Sequence, residues 1–240
     1  MEKLLFIVPL LLLSSCIYVV NRERIEGAGE ITTVTKQISK DADEISVAGG
    51  IELLLTNDME CGEIKIETNE NIHQYISVVS SDDKVIICTK PSGVWLDADI
   101  KVYASAKQYN DIIVSGASNA LIVDSIVNIE YSIKLSGAST FKGRLIISKD
   151  LDIILSGASS ADISGKSKGL SMKLSGASDI NAEGFTCEEL GVNASGASDV
   201  DMINVTKSIS GKASGASKVK YSGNAKGTIQ TSGASSVTAN

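Results

Sequence analysis

The sequence predicts an all-β protein, a single-stranded, right-handed parallel β-helix (β-solenoid) of about 20 residues per coil, with an N-terminal β region that starts or caps it. Three observations carry this. Ser-Gly-Ala-Ser begins at Ser115, Ser136, Ser156, Ser175, Ser195, Ser214 and Ser232, at intervals of 21, 20, 19, 20, 19 and 18 residues. The segments between copies are rich in Ser, Gly, Ile and Val and alternate in polarity, with no 3.6-residue stripe, which excludes helical repeats. The period is too short for a four-stranded propeller blade, and the leucine and asparagine ladder of leucine-rich repeats is absent. Twenty extended residues run roughly 66 Å at about 3.3 Å each, one circuit of three short strands with corners, and circuits stack at about 4.8 Å. The crossover rule makes the coil right-handed.

Taken in order, the chain begins with an address. Met1-Glu2-Lys3 leads into an apolar run from Leu4 to Leu13 broken only by Pro9, and Ser14-Ser15 precede Cys16. The run is too short to span a bilayer and has the layout of a secretory signal. Leu13-Ser14-Ser15-Cys16 resembles the bacterial lipoprotein cleavage box, in which the cysteine is lipid-modified and becomes the first residue of the mature protein. Residues 1–15 are therefore expected to be a lipoprotein signal peptide, and residues 16–29 the lipidated Cys16 and its tether. A first strand from Ile17 to Val20 is the competing reading of the tether. Several acyl chains on Cys16 anchor stably where one is marginal. The expected location is thus the cell envelope, lipid-anchored outside the cytoplasm, at the outer membrane.

Residues 30–111 read as a degenerate β region. Ile51 to Leu55, Ile64 to Ile66, Val85 to Ile87 and Ile100 to Tyr103 read as strands, separated by the turn-rich Thr56-Asn57-Asp58, Glu67 to Asn71 and Ser80 to Asp83. They are expected to begin the sheets and block the open end of the coil. Cys61, Cys88 and Cys187 follow Cys16, and outside the cytoplasm three cysteines allow at most one pair. A Cys61–Cys88 disulfide and two buried thiols are equally open, and Cys187 is expected to stay free.

Residues 112–240 form the repeat. Counting by twos through the third copy gives Ile153, Leu155, Gly157, Ser159, Ala161 and Ile163 on one face, with Asp152 and Asp162 on the other. The expectation is therefore an interior ladder of the motif's Gly and second Ser: Gly116, Ser118, Gly137, Ser139, Gly157, Ser159, Gly176, Ser178, Gly196, Ser198, Gly215, Ser217, Gly233 and Ser235. An inward hydroxyl left unpaired costs about 1–3 kcal/mol, so each needs a neighbouring hydroxyl or carbonyl. Nine residues after each motif start stand Asp124, Leu145, Gly165, Gly184, Asn204 and Gly223, types that suit a second corner except for Leu145, where Gly143 lies nearby. The final segment, Ser236 to Asn240, shows no obvious cap.

Stacking the copies also makes outward columns. One reads Asn119, Thr140, Ser160, Asp179, Asp199, Lys218 and Ser236, and the next reads Leu121, Lys142, Asp162, Asn181, Asp201, Lys220 and Thr238. Asp162, Asp179, Asp199 and Asp201 should share one exterior sheet, where clustered oxygens suit Ca²⁺. Flat strands point carboxylates in parallel rather than around an ion, and the lysines balance them, so a solvated surface is the favoured reading and no metal is assigned. With 22 Lys plus Arg against 29 Asp plus Glu, the net charge of -7 offers no basic surface for nucleic acid. At 43% hydrophobic and 21% charged the chain is too apolar for disorder. The single histidine, His73, has no recognisable nucleophile beside it, so no catalytic residue and no cofactor are assigned. Trp95, Tyr103 and Tyr109 could form a recognition patch but read better as buried cap residues. Asp124-Ser125-Ile126 resembles a short bacterial O-glycosylation sequence.

The order Val47-Ala48-Gly49-Gly50-Ile51-Glu52-Leu53, a charged hairpin, Val85 to Lys90, Ile100 to Tyr103, then Ile113-Val114-Ser115-Gly116-Ala117 and the repeated Ser-Gly-Ala-Ser resembles the putative auto-transporter adhesin, head GIN domain family. The resemblance covers about Ile38 to Asn240. It implies a β-helical lipoprotein or secreted protein of Bacteroidetes-like bacteria and carries no catalytic or binding residues to transfer. The expected function is a non-catalytic binding or structural role on the bacterial surface. Expected partners are the membrane, through the lipid anchor, and a protein or glycan ligand. The alternative is a glycan-active β-helix enzyme, a polysaccharide lyase or hydrolase, working through the acidic patch.

Overall fold

The computed structural model describes residues 23–90 and 94–239. The expected signal peptide and Cys16 lie outside the described residues, and so does the side chain of Trp95. The chain is a β-solenoid of about six turns, built from parallel stacked coils of about 20 residues. The strand Asp150–Leu155 shows how one circuit works. It lies on a first face, the chain turns at Ser156-Gly157-Ala158-Ser159, and the long strand Ser160–Leu174 then crosses a second face, bends through a third and returns beneath Asp150–Leu155.

Registers are parallel and hold from coil to coil, so inward residues stack in columns. On the second face the interior column runs Leu53, Ala120, Phe141, Ala161, Ile180, Val200 and Val219. On the third it runs Ile126, Leu145, Gly165 and Phe185. The largest side chains stand next to small ones: Phe141 is buried between Ala120 and Ala161, and Phe185 is buried beside Gly165.

The Ser-Gly-Ala-Ser copies are corners. The second serine points inward, and Ser118, Ser139, Ser159, Ser178, Ser198 and Ser217 are buried. In the second to seventh copies its hydroxyl donates to the carbonyl of the first serine, as from Ser139 to Ser136, Ser159 to Ser156 and Ser178 to Ser175, each at 2.8 Å. The first copy differs: its Gly116 and Ala117 both have positive φ, and the Ser118 hydroxyl accepts from the Ile51 amide at 3.1 Å. Replacing Ser178 by Ala removes one local bond and is expected to cost about 1 kcal/mol in urea unfolding.

The glycine half of the expected ladder is corrected. Gly116, Gly137, Gly157, Gly176, Gly196, Gly215 and Gly233 are exposed at the corner, not interior. Leu135 and Ser139 both face inward, and the corner between them turns Gly137 and Ala138 outward. The glycines still stack on one another. A Cβ on Gly157 (φ 79) would come within 2.6 Å of the Gly137 carbonyl oxygen, the atom that accepts the Ala158 amide at 2.7 Å. Left-handed backbone and coil-to-coil contact together require glycine there. At the second set of corners Gly165, Gly184 and Gly223 have positive φ and Asp124 sits in a bend, whereas Leu145 and Asn204 are extended.

The coil begins before the repeats and not in sequence order. The strands Glu44–Ala48 and Ile51–Thr56 form one circuit, which lies between the circuit of Asp111–Ser115 and Asn119–Ile122 on one side and that of Lys84–Thr89 and Ile100–Ser105 on the other. Antiparallel strands then close the outer edges. Ile76–Ser80 covers Lys84–Thr89, Glu63–Asn69 covers Ile100–Ser105, and Ile31–Gln37 covers Glu63–Asn69. At the other end Lys226–Thr231 and Ser236–Ala239 each pair with one earlier strand and are mostly exposed, and no strand among the described residues covers their far sides.

Candidate functional site

The exterior of the prism is where binding chemistry has to sit, and parallel register fixes its columns. On the second face Asp179 pairs in register with Asp199, and Asp199 with Lys218; beside them Asp162 pairs with Asn181 and Asn181 with Asp201, which Lys220 reaches by its side chain. Ion pairs join adjacent coils: Lys142 to Asp162 at 3.1 Å, Lys218 to Asp199 at 3.8 Å and Lys220 to Asp201 at 3.3 Å. Each is exposed and worth at most about 1 kcal/mol. The four aspartates are spread along two columns, and among the described residues no three His, Cys, Asp or Glu side chains converge as metal ligands. A bulge between Val200 and Ile203 breaks the face beside Asp201, with Met202 at φ 57.

The first face is acidic and grooved. A shallow groove of about 670 Å³ is lined by Asp111, Glu130, Asp150 and Asp152, with Asn110, Asn128 and Lys149. Asp111 is held by Lys134 at 3.0 Å and Glu130 by Lys149 at 3.3 Å. A smaller hollow of about 330 Å³ continues over Asp152, Ser171, Glu189 and Ser210, its floor lowered by Gly169 and Gly191. The third face carries a groove of about 620 Å³ lined by Val127, Ile129, Ile146, Lys166, Lys168 and Glu188. Sequence reasoning passed over these residues, because an aliphatic residue in a predicted strand reads as core. A signal existed: the register column through Val127 and Ile146 continues as Lys166, Thr186 and Asn204, which are polar.

The other residues singled out by the sequence are dispersed. His73 lies in the 3-10 helix Glu70–Tyr75 and its Nε2 meets the Thr32 hydroxyl at 3.0 Å. Tyr109 is buried in the N-terminal core, whereas Tyr103 faces outward with its hydroxyl 3.4 Å from Glu67. Asp124 accepts from the Asn57 amide at 3.1 Å, and the Ser125 carbonyl from the Asn57 side chain at 3.2 Å. Of the two readings left open for Cys61 and Cys88, the structure has the free thiols: both are half-buried, Cys61 near the Ser105 hydroxyl and Cys88 on a strand beside Ala48 and Ser77. Cys187 is free and buried, on the interior of the third face.

Burial pushes the Cys187 thiol up from about 9 to about 12. The Tyr131 and Tyr109 hydroxyls, buried without a hydrogen-bond partner, are pushed up in the same direction. A group whose pKa is raised on folding contributes stability in full below its unfolded value and loses it as pH climbs to the folded value. The urea midpoint should therefore hold to about pH 9 and fall between about pH 9 and 12, read by circular dichroism at stepped pH.

These features define a repeat protein of the parallel β-solenoid class, with small-residue corners and a strand-capped N-terminal end. The chain belongs to the family described as "Putative auto-transporter adhesin, head GIN domain", whose pattern matches residues 41–225. Among solved structures, a putative adhesin from Bacteroides fragilis is similar at 16% identity and a TM-score of 0.81, over 90% of this chain and 100% of that one. A putative adhesin from Parabacteroides merdae is similar at 18% identity and 0.69, over 91% and 99%. A putative lipid binding protein from Parabacteroides distasonis is similar at 17% identity and 0.68, over 91% and 100%. At these identities the likeness concerns the fold. No curated protein matches the sequence. Among the described residues no helix is long and apolar enough to cross a membrane.

Proposed function

We propose that the protein is a lipid-anchored envelope adhesin whose solenoid serves as a rigid, non-catalytic binding surface, tethered through Cys16 at the outer membrane. The observation that carries the reading is what the exterior carboxylates do. Asp111, Glu130, Asp162, Glu188, Asp199 and Asp201 are each matched to a lysine on an adjacent coil. Their charge is used in lacing the stack, and the lacing leaves a regular lattice of small polar groups for a protein or glycan partner. Affinity then accrues from many weak contacts repeated at coil spacing. Membership of an adhesin family supports a surface role.

Two measurements test the two halves. Cells given an alkyne fatty acid should label the wild-type protein and not the Cys16→Ala variant; equal labelling of both would remove the anchor. The chain displayed on beads should retain a host-matrix protein or glycan. Cleavage of any offered polysaccharide, lost in an Asp150→Ala, Asp152→Ala variant, would replace the adhesin reading with a glycan-active one.

A further inference from the structure

On the third face, one outward register column changes chemistry from coil to coil: Val127, Ile146, Lys166, Thr186, Asn204. Val127 is 74% exposed and Ile129, two residues on, 58%. Both line the groove of about 620 Å³ whose further part is lined by Lys166, Lys168 and Glu188. Arg144 shares an adjoining hollow with Ile146 and Lys166. The neighbouring cations are already committed, Lys149 to Glu130 at 3.3 Å and Lys207 to Glu188 at 2.7 Å. Arg144, Lys166 and Lys168 make no ion pair within 4 Å among the described residues; Glu188, held at 2.7 Å by Lys207, also feels the charge of Lys168. A protein of net charge -7 thus keeps Lys166 and Lys168 next to a cluster of exposed aliphatic side chains inside one groove, with Arg144 in the hollow beside it.

We propose that this groove binds a single anionic amphiphile, its acidic head between Lys166, Lys168 and Arg144 and its alkyl chain over Ile146 toward Val127 and Ile129. The two ends match the two halves of such a molecule: unpaired cations complement the head, and an alkyl chain removes aliphatic surface from water. Geometry sets the length. Lys166 stands two coils from Val127, and at about 4.8 Å per coil the apolar segment spans about 10 Å, the reach of a medium-length chain. The groove lies on a different face from the aspartate columns, so this inference stands or falls independently of adhesion.

The test is methyl NMR on the full chain with three monomeric probes: octyl phosphate, octyl glucoside and inorganic phosphate. Every variant keeps residues 1–22, so binding to that segment is common to all. Octyl phosphate should shift the Val127, Ile129 and Ile146 methyls saturably and bind at least tenfold more tightly than either other probe. Lys166→Glu with Lys168→Glu should weaken it at least tenfold while the core methyl spectrum stays native. Val127→Ser with Ile129→Ser should reduce octyl phosphate to the affinity of inorganic phosphate. Equal binding of octyl glucoside, equal binding of inorganic phosphate, or indifference to the lysine changes would overturn the proposal. So would binding to phosphatidylglycerol vesicles without binding of the monomer, which would make the patch a membrane contact instead.

Discussion

Gly211→Ala should lower stability by about 3 kcal/mol or more, whereas Gly191→Ala, one coil away on the same face, should leave it unchanged or raise it by about 0.5 kcal/mol. Gly211 occupies the interior column between Val192 and Ile229, at φ 140. A Cβ there would overlap the Val192 carbonyl oxygen, which is backbone and cannot rotate away. The chain would have to move apart from the coil it is bonded to, which breaks register on both sides. Gly191 faces outward, and a Cβ there meets nothing within 4 Å. Urea unfolding of the two variants separates a steric requirement from a general need for glycine. Equal midpoints would mean that neighbouring coils part more easily than their hydrogen bonds suggest.

Phe185→Ala should cost about 4 kcal/mol, at the upper end for a truncated aromatic. Phe185 is fully buried and its register partner is Gly165, which contributes no side chain to the same column. In most cores a neighbour relaxes into part of the vacated space. Here truncation leaves two successive levels without bulk, so the cavity stays open and the lining loses contacts it cannot replace. A midpoint shift equivalent to less than about 2 kcal/mol would show that the third face collapses inward. Gly165→Ala is no rescue, because its own Cβ would overlap the Leu145 carbonyl oxygen.

The repeat half of the fold was legible because the coil length is nearly constant. Intervals of 18 to 21 residues between identical motifs put Thr140 beside Ser160 and Asp179 beside Asp199 by counting alone, the pairs found in the registers. The same arithmetic misplaced the glycines. Leu135 and Ser139 are four apart, and that even separation fits a straight strand as well as a corner that restores the inward direction. Only backbone geometry separates the two. The N-terminal half was legible as strands but not as an arrangement, since the pairing of Glu44–Ala48 with Lys84–Thr89 joins segments some 40 residues apart without a shared motif. The grooves were illegible for a different reason: Val127, Ile129 and Lys166 come together only once coil-to-coil register and corner geometry are both known.

The order of the first circuits bears on how the molecule is made. The circuit of residues 44–56 has a partner on either side, and both arrive later in the chain, at residues 84–105 and 111–122. Until roughly the first half has been synthesised, that circuit has two bare edges and nothing to template against. Non-local closure of this kind is slow, because loop entropy is spent before contacts reward it. Each Ser-Gly-Ala-Ser coil that follows needs only the coil before it, a short loop closure onto a finished surface. Folding should therefore divide into one slow nucleation by the N-terminal half and a fast, one-directional growth through the repeats.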